Sequence, residues 1–112
     1  MLSLLLFFSV PNPALLKEVV AQKYILNVND CSNKAAEYFS GISEDHPDAR
    51  IIVIAPRRAI FTRHAVVYVN KLYIDCTNGK KTSKLWLWGK EIYRMNRNEL
   101  HIGRLINPTE WK

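Results

Sequence analysis

Two cysteines in 112 residues, with no cysteine or histidine pair at metal-binding spacing, leave neither a disulfide framework nor a zinc site to build a fold around. A reducing compartment, the cytoplasm, is the expectation that follows. Four glycines, five prolines and no repeat or low-complexity run argue against a long disordered tail and against a solenoid. The opening "MLSLLLFFSV" is too short to span a bilayer as a helix, and it carries neither a basic start nor a small-x-small cleavage site. It reads as a first element packed on the core, with export as the alternative. No base-reading motif accompanies the positive charge, which argues against specific nucleic-acid recognition.

What is present is 48% hydrophobic residues in a length that suits one core, so residues 1–112 read as a single domain of mixed α+β type. Charge is divided unevenly. Residues 1–50 hold four Lys or Arg against six Asp or Glu, and residues 51–112 hold twelve against four. The basic half suits an acidic protein partner, an anionic surface or nucleic acid.

The segment "NPALLKEVVAQKYIL" has Asn12 as a helix cap, Pro13 at the first helical position, and Leu15, Leu16, Val19, Val20 and Leu26 at helical spacing. A second helix begins near Cys31, capped by Asp30 or Asn29. It places Cys31, Ala35, Ala36, Phe39 and Ile42 on its inner side and Lys34 and Glu37 on its outer side. Gly41 and "SEDHPD" are expected to end it. "ARIIVIAP" is a wholly apolar, β-branched run that reads as a buried strand. "EIYRMNRNELHIGRLI" reads as a short helix followed by a strand, with Ile92, Met95 and Leu100 turned inward. Asn107 and Pro108 then close the ordered part.

The stretch "RHAVVYVNKLYIDCT" carries the most information. With Asn70 and Lys71 as a two-residue turn, Val69 faces Leu72, Tyr68 faces Tyr73 and Val67 faces Ile74. One face is then Ala65, Val67, Val69, Leu72, Ile74 and Cys76, all apolar. The other is His64, Val66, Tyr68, Tyr73, Asp75 and Thr77. A slip of one residue would bury Asp75 among the valines, so the register is well determined. His64 and Asp75 become diagonal neighbours whose side chains can meet. Of the two thiols, Cys76 points into the core, whereas Cys31 stands in a first helical turn, where free N–H groups and the dipole favour an anion. A helix end docked on the polar face of the hairpin would bring Cys31, His64 and Asp75 together as nucleophile, base and orienting carboxylate.

"NDCSNKA" resembles the cysteine box of the transglutaminase-like branch of the papain-like cysteine enzymes. "RHAVVYVNKLYIDCTNG" resembles the His strand, turn and Asp strand of that branch. The short length and the tryptophans after the hairpin are also similar to small bacterial papain-fold toxin domains. The likeness covers residues 29–79. It implies a papain-like or transglutaminase-like fold with N-terminal helices packed on a small antiparallel sheet. It also implies Cys31 as nucleophile, His64 as general base and acid, and Asp75 as its orienter. A protein or peptide substrate, no cofactor, and, for the toxin branch, a paired inhibitor protein come with it. Two departures stand out. Ala65 and Val66 occupy positions where a bulky aromatic often follows the histidine, and Ile25 stands six residues before the cysteine where a papain-type oxyanion glutamine would be. The backbone N–H of Cys31 is the first candidate for an oxyanion donor, with Asn29 and Gln22 as side-chain helpers. Tyr68, Tyr73, Trp86 and Trp88 are candidates for a substrate groove. The competing readings are a catalytically inactive papain-like binding domain and a basic nucleic-acid module that stacks bases on "KLWLWGK".

Overall fold

The computed structural model of the protein describes residues 9–25, 30–57 and 63–95. They form a small α+β domain, with two helices packed on a five-stranded antiparallel sheet of order β4-β3-β2-β1-β5. Chain order is α1 (Pro13–Ala21), α2 (Cys31–Ile42), β1 (Arg50–Pro56), β2 (His64–Val69), β3 (Leu72–Ile74), β4 (Lys81–Thr82), a 3-10 turn (Leu85–Leu87) and β5 (Gly89–Met95). No helix among the described residues is long and apolar enough to cross a membrane. Residues 1–8, Leu26, Asn29, Leu100, Asn107 and Pro108 lie outside the described residues.

Both helices start on local chemistry. Asn12 adopts a left-handed conformation and its side chain accepts from the Leu15 N–H, with Pro13 behind it needing no partner. Asp30 caps α2 by accepting from the N–H groups of Ser32 and Asn33, while the Asn33 side chain accepts in return from the Asp30 N–H. That reciprocal box satisfies the amides beside Cys31. Gly41, expected to terminate α2, instead lies within it: a Cβ there would fall 2.2 Å from Leu15 Cδ2, so the missing side chain is what lets α1 approach.

The hairpin has the register read from the sequence, with Val67 opposite Ile74, Tyr68 opposite Tyr73 and Val69 opposite Leu72. Asn70 and Lys71 both have positive φ, 52° and 63°, which is a type I′ turn whose twist matches the strands it joins. The sheet is apolar on both faces. Ile51, Val53, Ala65, Val67, Ile74 and Cys76 pack under the helices against Val19, Ala35, Phe39 and Ile42. Ile52, Ile54 and Val66 form a smaller cluster on the opposite face beneath Tyr68, Tyr73, Leu85 and Trp88.

The segment after Trp88 departs from the expected helix. Gly89–Met95 is β5, paired with β1. The apolar run of β1 has two edges to fill, and pairing satisfies its backbone better than a short helix beside it would. Val53 pairs with Tyr93 and Ile54 with Glu91, so Ile92 is an extra residue in a bulge. The bulge changes the alternation: Met95 is buried, while Ile92, expected inward, is exposed. It also brings Glu91 and Arg94 within 2.8 Å of each other, and lets the Arg94 guanidinium lie over the Tyr68 ring at 5.4 Å.

Candidate active site

β2 begins at His64 and β3 ends one residue before Asp75, so the two side chains meet at one end of the hairpin. Their contact is a 2.8 Å hydrogen bond between His64 Nε2 and Asp75 Oδ2. Asp75 is held from behind as well. Its Oδ1 accepts from the Thr77 N–H at 2.9 Å, its own N–H donates to Lys80 O, and its carbonyl accepts from Gly79 N–H. Gly79, at φ 79°, supplies the left-handed turn that closes this loop. The carboxylate therefore has little freedom left.

Charge follows from that geometry. Burial works against ionisation of Asp75, but the bond to His64, the imidazolium charge and the N–H groups of Thr77 and Asn78 outweigh it and lower its pKa. Burial likewise opposes protonation of His64. Hydrogen bonds to Asp75 and to the Cys31 thiol, together with their negative charge, overcome it and raise the imidazole to about 10. Nε2 is engaged by Asp75, and Cys31 is close enough to act on the imidazole as well. The structure thus brings all three residues together, with the half-buried Cys31 in the first turn of α2. Cys76 is different: it is buried in the main core, and burial, reinforced by the Asp75 charge, pushes its thiol well up.

The other candidates divide. The Gln22 amide donates to Glu37 Oε1 at 3.3 Å, more than one helical turn along α2 from Cys31, and so is turned away from the thiol. Asn29 is outside the described residues. Tyr68 and Tyr73 stack on one another with ring centroids 4.8 Å apart, but Tyr68 sits four residues along β2 from His64, about 13 Å at strand spacing. Trp88 is nearer, since its carbonyl accepts from Arg57 N–H beside the β1 end that pairs with His64. Trp88 packs on the Ile54 cluster, whereas Trp86 is 62% exposed.

Two residues at the site were not anticipated. Lys34, assigned to the outer side of α2, is 1% exposed, and its Nζ donates to the carbonyls of Val20 at 3.2 Å and Gln22 at 2.7 Å. These are groups that the end of α1 leaves without helical partners. Tyr24 lies near Cys31: burial first, and the neighbouring Cys31 second, raise its phenol above the ordinary value. Neither contact has a local sequence signature, because each joins residues across the α1–α2 connection. The Thr77 contact does have one, since Asp followed by Thr-Asn-Gly is an Asx-turn pattern.

No protein-family model, curated protein or solved structure matches this chain.

Proposed function

We propose that the protein is a cysteine-dependent acyl-transfer enzyme of papain-like, transglutaminase-like type, acting on an amide or thioester of a protein substrate. The observation that carries the reading is the His64 imidazole bonded through Nε2 to a fixed carboxylate and lying beside the Cys31 thiol. Proton transfer from the Cys31 thiol to His64 makes the sulfur a nucleophile. The Cys31 sulfur attacks the carbonyl carbon, forming a C–S bond and a tetrahedral oxyanion. Collapse breaks the bond to the leaving nitrogen or sulfur, and the imidazolium gives that atom its proton. Neutral His64 then removes a proton from water or an amine, which attacks the thioester and frees Cys31. Water makes the reaction a proteolysis or a deamidation, and an amine makes it a transglutamination. The triad is common to all three. The basic half of the chain favours an acidic protein substrate, and Trp86 and Trp88 lie in the stretch best suited to form one wall of its groove.

The test is iodoacetamide labelling of Cys31 across pH, with Cys76 as the internal control, in the wild type and in His64→Ala. Coupling to His64 is expected to make Cys31 of the wild type react about tenfold faster near pH 7 than Cys31 of His64→Ala, with the buried Cys76 slow in both. Equal, slow labelling of both thiols, together with salt-sensitive binding of a protein partner, would instead identify a non-catalytic binding domain.

A further inference from the structure

The sheet order β4-β3-β2-β1-β5 puts β4 and β5 at opposite edges, so the chain between them has to cross the sheet. It crosses the face that the helices leave open, through the 3-10 turn Leu85–Leu87. Three residues make one turn of such a helix, so Leu85 and Trp88 fall on one side, and both pack on the Ile52, Ile54 and Val66 cluster. Trp86 and Leu87 are left outside it, 62% and 47% exposed.

The turn is also pinned. The N–H groups of Leu87 and Trp88 donate to the carbonyls of Lys84 and Leu85, the Lys84 N–H donates to Thr82 Oγ1, and the Trp88 carbonyl accepts from the Arg57 N–H at 3.0 Å. A Cβ on Gly89 would fall 2.3 Å from the Ala55 carbonyl oxygen, so the glycine is what lets the exit of the turn press against β1. Two adjacent apolar side chains are therefore held in water by a backbone that has no freedom to fold them away. A single exposed apolar residue is ordinary. A fixed pair led by tryptophan has the composition of a binding hot spot, with much of the ordering cost already met.

Charge identifies the partner. Residues 76–90 contain Lys80, Lys81, Lys84 and Lys90 and no Asp or Glu. All four lysines are exposed, and none has a carboxylate partner among the described residues. We propose that this turn is a docking surface for an acidic segment of a protein partner, whose apolar side chain packs on Trp86 and Leu87 while its carboxylates meet the lysines. Stacked nucleobases need successive aromatic faces, and Trp88 is turned into the sheet, which leaves Trp86 beside an aliphatic residue. A bilayer needs apolar groups about 5–10 Å below its headgroups, and a turn pinned along a sheet face is not built to reach them. Gly89 pairs with Pro56, two residues beyond the Ile54 that pairs with His64, so the surface lies at the His64 end of the sheet. Calling the docked partner the substrate rests on the Cys31 reading above, whereas the docking itself does not.

Random peptides displayed on phage would be selected on the full-length protein and the enriched sequences synthesised. Their Kd values would be measured by fluorescence anisotropy, at low and at physiological salt, for wild type, Trp86→Ala and Lys84→Glu. Both side chains are exposed, so neither replacement opens the core, and circular dichroism confirms the fold of each variant. The expected sequences carry Asp or Glu around an aromatic or aliphatic residue. Trp86→Ala is expected to weaken binding about thirtyfold or more and Lys84→Glu about threefold, with the Lys84 effect shrinking as salt rises. No enrichment, a neutral or basic consensus, or equal affinity for Trp86→Ala would overturn the proposal. So would Trp86-dependent binding of phosphatidylserine vesicles or of an oligothymidylate in place of the peptides. Cys31 labelling is read without any peptide, so failure of either claim leaves the other standing.

Discussion

Replacing Lys34 by methionine removes the charged end of a buried side chain and keeps most of its stem. Nζ makes two hydrogen bonds to carbonyls, at 2.7 and 3.2 Å. Bonds from a charged donor contribute about 1.5–3 kcal/mol each, which sets an upper bound of about 6 kcal/mol. Methionine returns part of this, since it fills the same channel and spares the cost of desolvating an ammonium group. A net loss of about 2–3 kcal/mol is expected, or a fall in Tm of roughly 10–20 °C for a domain of this size. Urea titration followed by circular dichroism measures it directly, with Glu37→Gln as an exposed control on the same helix that should change stability by less than about 0.5 kcal/mol. A Lys34→Met loss no larger than that of the control would refute the reasoning, because it would mean that water satisfies both carbonyls and that Lys34 does not hold the end of α1 to α2.

Stability should also depend on pH through the hairpin pair. The His64 pKa is raised from 6.5 to about 10, so its contribution is complete below about pH 6.5 and is lost as pH rises through about 10. The Asp75 pKa is lowered from 3.8, so its contribution is present above that value and disappears as pH falls through the lowered one. The stability gap between wild type and His64→Gln is therefore expected to be widest between those limits and to narrow in alkali. A gap that grows in alkali would reverse the assignment of charge. Lys71→Gly, at φ 63°, should raise stability by about 1 kcal/mol by relieving a left-handed side chain in the type I′ turn, as read by thermal melting. An unchanged or lower Tm would show that the Lys71 side chain contributes something the backbone argument omits.

The hairpin was readable in detail because its information is local. Alternation, a two-residue turn and one acidic residue fix the register, and the register places His64 beside Asp75. The Asp30 cap was readable for the same reason. Lys34 was not. Helical periodicity assigns residues to faces by hydrophobicity, and a lysine counts as outward even when unpaired carbonyls at the end of a neighbouring helix make an inward position favourable. β5 is not legible as a strand because "EIYRM" lacks clean alternation, Ile92 being the extra residue of a bulge. The triad could be proposed from the chain itself, while the surroundings that would tune it could not.

His64 and Asp75 sit only eleven residues apart, on or beside strands joined by the tightest of turns. Such a unit closes on the microsecond scale, ahead of contacts that require long loops. The cysteine belongs to a helix far earlier in the chain, and it joins them only when α2 packs across β2. During refolding, the imidazole–carboxylate pair is therefore expected to form before the sulfur arrives, so that a newly made chain keeps Cys31 apart from His64 until the core has closed.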